Sequence, residues 1–436
     1  MTTSSKQNYT LPIVMMFALF FMISFVTGLQ NPFGVIVKDQ FQASNFMSQL
    51  GNAANFIAYA FMGIPSGILL GKIGYKKTAL LAIAVGFTGV CISFLSGIAE
   101  SFAVYLVGAF VSGFSMCLLN AVVNPMLNSL GGGGNRGNQL LMWGGSINSI
   151  GATITPVLAG MLIGSAANKT ATIADVNPAL WIAMGIFALA FIVLSVVQIP
   201  EPFTAEADAP KAELKTKDKH SALSFRHFTL GALAIFAYMG LEIGVPNFVN
   251  LFLGEATANG GYGMDKSAAG LICGTYWFCM LLGRVGGGVL ASKFSSRNML
   301  TAVSVLGVVL VCGAILCPTS VVVNMPIFVS DPTFGFAFAE VPLGVMLLII
   351  TGFCTSVMWG SIFNLAVEGL GKYTSMASGI FMVMVCGGGI LPLIQGAIVD
   401  QFGYMISFGL LAILYAYTLY YALVGSKNVN TDIPVE

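Results

Sequence analysis

A carboxylate stands in the middle of an otherwise apolar stretch, "AIFAYMGLEIGVPNFVNLFL" (residues 234–253), at Glu242. A charged side chain at the centre of a bilayer costs about 2.5–3.5 kcal/mol on insertion scales, and such groups usually face a cavity and serve transport. A carboxyl there can hold a proton when dry and release it when hydrated, or stay ionised beside a cation. The other acids weighed against it, Asp39, Glu100, Asp331, Glu340, Glu368 and Asp400, fall in loops or at the ends of apolar runs. Arg284 is the basic residue that falls inside an apolar run. Counted at 1.5 Å per residue, it lies roughly 12 Å lower than Glu242, so a direct pair is not expected.

The remaining polar groups of the apolar runs are mostly amides. Asn120, Asn124 and Asn128 recur at i, i+4 and i+8, one stripe of a helix. Asn52, Asn55 and Tyr59 share a face of another run; Gln30, Asn31, Asn148, Asn247, Asn250 and Asn364 add amides in four more. Amides offer donors and acceptors together, so a convergent set suits a ligand with several hydroxyls and rejects analogues that lack one. Singly, each serves equally well as interhelical glue, about 0.6 kcal/mol apiece; as a set they predict a polar cavity. Trp277, near the middle of its run, is the ring best placed to stack on a pyranose, whereas Trp143 and Trp359 read as packing. "QNPF" (30–33), "VNPM" (123–126) and "GVPNF" (244–248) set proline beside asparagine. Each proline leaves a carbonyl one turn earlier without its helix bond, and such carbonyls can coordinate Na⁺. Glu242, Asn31 and Asn120 are the candidates for a Na⁺ site, with a proton on Glu242 as the alternative.

These groups need membrane helices to position them. The 436 residues are 57% hydrophobic and 8% charged, against roughly a quarter charged in soluble domains. A net charge of +1 gives no basic footprint for nucleic acid. Runs of about 20 apolar residues cross a bilayer, and breaking the chain at charges and Gly/Pro/Asn clusters gives twelve: 11–36, 46–71, 78–98, 103–128, 139–164, 178–199, 228–253, 267–291, 298–318, 341–366, 376–399 and 403–424. The first is too long for a signal-peptide core of about 7–15 residues. Of the eighteen lysines and arginines, fourteen fall on the side of the N-terminus, Lys38, Lys169 and Lys266 fall opposite, and Arg284 lies within a span. The positive-inside rule then puts both termini in the cytoplasm.

Segment 200–227 is polar and reads as a solvated linker between residues 1–199 and 228–436, two six-helix bundles. "GILLGKIGYKKTALL" (67–81) and "GGVLASKFSSRNMLTAV" (287–303) resemble each other, each running from a glycine-rich helix end through a basic turn into the next helix. Paired six-helix halves put a substrate site near the midplane between them. The eight cysteines lie mostly in apolar runs without a Cys-x-x-Cys pair and read as buried thiols.

The chain resembles the major facilitator superfamily, and within it the fucose/glucose/galactose–cation symporter family. The resemblance rests on "NFMSQLGNAANFIAYAFMGIPSGILLGKIGYKK" (45–77), "AVVNPMLN" (121–128), "INSIGA" (147–152), "YMGLE" (238–242), "LLGRVGGGVLASKF" (281–294) and "SIFNLAVEGLGKYTSMASGIFMVMVCGGGILP" (361–392). It implies an all-helical fold of two pseudo-symmetric six-helix bundles and uptake of a monosaccharide with a cation by alternating access. It also places Arg284 at a gating position. Family members usually carry an Asn-Asp pair late in the first helix and a glutamate in the fourth. The matching places here are Val35 and Asn120, so both acids are missing and the coupling scheme does not carry over.

No nucleotide-driven chemistry is encoded. "GGGG" (131–134) lacks the Lys-Ser/Thr of a phosphate loop. His220 and His227 lie in or beside the linker, and no metal cluster or nucleophile–base pair occurs within the spans. The expectation is a monomeric importer of a hexose or 6-deoxyhexose, coupled to H⁺ or Na⁺, in the bacterial inner membrane, with sugar and lipid as its partners and no cofactor. An exporter of the same superfamily is the alternative, and an enzyme is not expected. Segment 319–340, apolar for a loop, reads as a surface hairpin or cap.

Overall fold

The computed structural model describes residues 9–28, 36, 44–130, 140, 143–155, 158, 176–197, 199, 220–290, 294–329, 335–370, 373–430 and 432–435. Among them, eleven helices are long and apolar enough to cross a membrane. Numbered by the expected spans, they are α1 (Thr10–Gly28), α2 (Leu50–Leu70), α3 (Lys72–Ala99), α4 (Phe102–Leu130), α6 (Asn177–Val196), α7 (Arg226–Gly254), α8 (Lys266–Leu290), α9 (Ser296–Leu316), α10 (Leu343–Val367), α11 (Gly379–Phe402) and α12 (Tyr404–Gly425). The fifth expected span falls largely outside the described residues; 143–155 is helical and is α5. Gln30, Asn31, Val35 and most of the 200–227 segment also lie outside them.

Apolar periodicity explains which helix is central. Every residue of α7 from Ala237 to Leu253 is buried, as expected of a helix that is hydrophobic all round. It packs against α8, α10, α11 and α12. Pro246 does not break it. Having no N–H, Pro246 leaves the carbonyl four residues earlier without its helix bond, and that carbonyl belongs to Glu242.

The basic turn between α2 and α3 is tighter than its sequence suggests. Helix geometry continues from Leu50 to Ala99 except at Gly74, whose φ of 81° lies in the left-handed region that glycine adopts without a Cβ penalty. Lys76 then donates through Nζ to the carbonyls of Ser195 and Val197 at 2.9 and 2.7 Å, satisfying oxygens at the C-terminus of α6. The second half repeats the device. Arg297, at the start of α9, donates through Nε to Ser426 Oγ (3.2 Å) and through Nη2 to the Ser426 carbonyl (3.5 Å), just past α12. The two similar sequence blocks thus do the same mechanical work, tying the third helix of each set to the sixth.

The glycine run "CGGGILP" (386–392) lies at a break in one helix and at a close approach to another. α11 is interrupted at Val385–Cys386, and it presses closely on α2 and on the turn before it. A methyl group on Gly389 would stand 2.8 Å from the Ala53 carbonyl oxygen, and one on Gly396 2.9 Å from that of Asn45. Segment 319–340 is largely an antiparallel hairpin, β1 (Val322–Val329) with β2 (Gly335–Pro342). All eight cysteines are free thiols, four of them buried.

Candidate functional site

Glu242 is 9% exposed, one turn beyond Tyr238 on the same face of α7. Contrary to expectation, it meets Arg284, whose Nη2 lies 3.4 Å from Glu242 Oε1. Counting rises from one pair of helix ends misplaced them because α7 has 29 residues and α8 25. Counted from the opposite ends the gap is about 9 Å, which a long arginine side chain spans. Arg284 is tied more closely elsewhere. Its Nη1 donates to the Gly145 carbonyl at 2.8 Å and to Ser149 Oγ at 2.7 Å, both on α5. One guanidinium therefore joins α7 and α8 to a helix of the first set. Its fork of donors suits such a junction.

Around this ion pair stand aromatic groups that carry polar atoms. The Trp277 indole N–H is buried with no hydrogen-bond partner among the described residues, and the buried Tyr238 hydroxyl stands beside the Glu242 carboxyl. Trp277 meets Tyr276 edge-on at 5.4 Å, and Tyr276 OH lies 3.0 Å from Thr355 Oγ1 on α10. Trp359 is half-buried against Tyr238, and Trp143 is 59% exposed.

The asparagines divide into two kinds. Asn52 donates to the Gly388 carbonyl on α11 (2.8 Å), Asn55 to Ala109 on α4 (3.3 Å), Asn148 to Phe20 on α1 (3.0 Å) and Asn247 to Gln49 Oε1 (2.8 Å). Each of these four NH₂ groups bridges to a neighbouring element, while the Oδ1 atoms of Asn55 and Asn247 are buried without a partner among the described residues. Asn120 and Asn124 are half-buried: Asn120 Nδ2 donates to Tyr59 OH (3.0 Å) and the Met116 carbonyl (3.1 Å), and Asn124 Nδ2 to the Asn120 carbonyl (2.8 Å). Asn124 Nδ2 also lies 3.5 Å from Asn120 Oδ1, so with the NH₂ groups engaged inside α4 and on Tyr59, acceptor oxygen, most freely that of Asn124, is what the pair can offer a ligand. Asn250 is buried, and Asn364 is exposed one turn from the end of α10. No described contact joins Asn120 to Glu242, and Asn31 lies outside the described residues, so the three Na⁺ candidates are not brought together here.

Sequence reasoning missed four polar groups. Gln395 on α11 is 1% exposed, its Nε2 without a described partner. It was legible by the same search for amides within apolar runs. Gln49 and Ser149 matter only through tertiary partners. Asp400, read as a helix-end acid without a role, holds the opening turn before α2. Its Oδ1 accepts from the backbone N–H and Nδ2 of Asn45, both at 2.8 Å, its Oδ2 accepts from the Phe46 N–H at 3.0 Å, and Tyr404 OH donates to Asn45 Oδ1 at 2.9 Å. These bonds tie the turn before α2 to the C-terminal end of α11. A crevice lined by Phe252, Cys317, Met405 and Phe408 holds none of these groups.

Residues 16–339 match the family model of the Major Facilitator Superfamily. The chain is a major facilitator. A "Glucose/galactose transporter" of Brucella abortus biovar 1 (strain 9-941) is 30% identical over 427 residues, covering 98% of this chain and 97% of the relative. The "L-fucose-proton symporter" of Escherichia coli (strain K12) is 23% identical over 418 residues, covering 91% and 89%. The solved major facilitator FucP, in the outward conformation, superposes with a TM-score of 0.69 at 21% identity, over 96% of this chain and 100% of that one. This major facilitator thus has the helical membrane fold, eleven spans of it among the described residues, and the branch that its sequence resembles, and it is a transport protein rather than an enzyme.

Proposed function

We propose that the protein imports a hexose or 6-deoxyhexose together with a proton by alternating access across the bacterial inner membrane, both termini inside, with residues 1–199 and 228–436 moving as two bundles about the 200–227 segment. The observation that carries this reading is the divided allegiance of Arg284, held by Glu242 in its own bundle and by Gly145 and Ser149 in the other. An ionised Glu242 draws the guanidinium toward α7. A protonated Glu242 releases it to α5 and strengthens the link between bundles. Charge on one carboxyl is thereby converted into contact between halves, and only such a differential interaction can shift a conformational equilibrium.

A proton is favoured over Na⁺ because a metal cation at Glu242 would have to share the carboxylate with a guanidinium 3.4 Å away. The names of the relatives support a sugar cargo and, for the fucose symporter, a proton. Asn120, Asn124, Tyr59 and Trp277 are proposed sugar contacts: amide acceptors and the phenol for hydroxyls, indole for the apolar ring face. With the termini inside, the Asp400 seal closes the outside. The test is uptake of a labelled monosaccharide panel into proteoliposomes under an imposed pH or Na⁺ gradient. Accumulation that follows the pH gradient supports the reading; accumulation that follows Na⁺ alone overturns the ion, and no accumulation of any monosaccharide overturns the function.

A further inference from the structure

Two buried carboxamides on facing helices each keep one polar atom unanswered, and the two atoms are of opposite kind. Asn247 on α7 and Gln395 on α11 are 5% and 1% exposed. Asn247 Nδ2 donates to Gln49 Oε1 at 2.8 Å. Its Oδ1, an acceptor, has no hydrogen-bond partner among the described residues, and neither has Gln395 Nε2, a donor. Buried polar groups are nearly always paired, so each exception calls for an explanation.

Both amides belong to one corner of α7. Gly244 and Asn247, at i and i+3, share a face of the helix. A methyl group on Gly244 would stand 2.8 Å from Gln395 Oε1 and 3.4 Å from Leu411 Cδ2, so the Gln395 carboxamide lies against the space that the glycine leaves. Gln49, just before α2, covers the corner from the first set of helices, which places it on the seam between the bundles. Asn247 is five residues beyond Glu242 along α7, and Asp400 is five residues beyond Gln395 along α11, about 7.5 Å in each case. The corner therefore lies between the ion pair and the bonds of Asp400. It is built of carboxamides, and among the described residues no charged group bonds to any of the three.

The geometry points to this corner as a subsite for one hydroxyl of a neutral, polyhydroxyl cargo, an inference that rests on the sugar-import reading above. A hydroxyl has one donor and two lone pairs. It donates to Asn247 Oδ1 and accepts from Gln395 Nε2, and so completes both amides at once. An anion would leave the acceptor unanswered and a cation the donor, so an uncharged hydroxyl is the chemistry that fits. The Gln49–Asn247 bond crosses the seam; it breaks when the halves part and re-forms over a seated hydroxyl. One position of the sugar ring is thereby read by contacts separate from Asn120, Asn124, Tyr59 and Trp277. A site built to bond a hydroxyl discriminates strongly against the analogue that lacks it, because buried partners are then left unpaired. A trapped water has the same donor–acceptor chemistry, and the test separates the two.

Equilibrium binding to the full chain in lipid nanodiscs tests this, by calorimetric titration with D-glucose, D-galactose and L-fucose and with the monodeoxy analogues of each sugar that binds. For the unsubstituted chain, one analogue is expected to bind at least tenfold more weakly than its parent. In Gln395→Met the parent sugar should lose about tenfold in affinity, and removing that same hydroxyl should then cost less than a further twofold, since the two changes delete one interaction. Gly244→Ala keeps all three amides but displaces the Gln395 carboxamide, and the same loss of dependence on that hydroxyl is expected. Thermal unfolding checks that both variants are folded. If no single hydroxyl matters tenfold in the unsubstituted chain, or if its penalty is unchanged in the variants, the corner holds water or merely packs, and the inference is overturned while sugar binding stands. If the unsubstituted chain binds none of the three sugars, the import reading falls, and this inference with it.

Discussion

Replacing Glu242 by Gln isolates the carboxylate charge while keeping its size and one acceptor oxygen. At 3.4 Å and an effective dielectric constant of about 20, the Glu242–Arg284 attraction is about 5 kcal/mol before solvation costs are subtracted. One charge moved through 100 mV supplies about 2.3 kcal/mol, which corresponds to about 50-fold accumulation of a neutral sugar at 1.36 kcal/mol per decade. Switching the carboxyl charge is therefore large enough to carry the whole driving force. The variant should lose concentrative uptake, its ratio falling from about 50 toward 1, while counterflow of labelled against unlabelled sugar continues, because the helices still open and close. The assay is paired uptake and counterflow in proteoliposomes at 100 mV, inside negative. A Glu242→Gln protein that still concentrates sugar tenfold or more would refute the coupling argument. Loss of counterflow together with uptake would show that the carboxyl holds the sugar or the fold instead.

Three further outcomes follow from described contacts. Asp400→Ala removes three bonds to one carboxylate, of a kind worth about 1.5–3 kcal/mol each when charged. If about 2 kcal/mol of this favours the sealed state, outside labelling of a Ser48→Cys thiol, buried in this structure, should rise about 30-fold; an unchanged rate would deny the seal. Asn55→Ala and Asn120→Ala should separate glue from ligand: the first lowers thermal stability with sugar KM unchanged, the second raises KM at least several-fold with stability nearly unchanged, as read by thermal unfolding and initial uptake rates. Lys76→Ala and Arg297→Ala should each cost about 0.5–1 kcal/mol of stability and leave coupling intact; a collapse of concentrative uptake in either would give these residues a part in the cycle.

The span pattern was legible because crossing a bilayer demands long apolar runs, and α1 to α12 follow them closely where described. Glu242 was legible because a carboxylate amid such residues is costly unless it has a task. The Arg284 contact was not, since counting rises assumes helices of equal length and upright posture, and the receiving groups on α5, a carbonyl and a serine, leave no mark in a sequence. The asparagines were legible only as a set of amides, because the amide that can bind a hydroxyl is the same amide that ties Asn52 to α11, and a sequence does not name the neighbour. Asp400 was passed over because its partners, Asn45 and Phe46, are 355 and 354 residues away. The hairpin was anticipated as a shape, but its seat on Phe278 of α8 is fixed only by the packing.

The matched ties at Lys76 and Arg297 have a mechanical consequence. A strap from the third helix to the sixth hoops each set of six upon itself, so flexing is confined to the junction, where Arg284 and Asp400 sit. Fluorophore pairs placed within one hoop would report a constant separation throughout turnover, while pairs straddling the junction would swing. Under the alternating-access reading proposed above, such a strap would make each set a lever that rocks against the other.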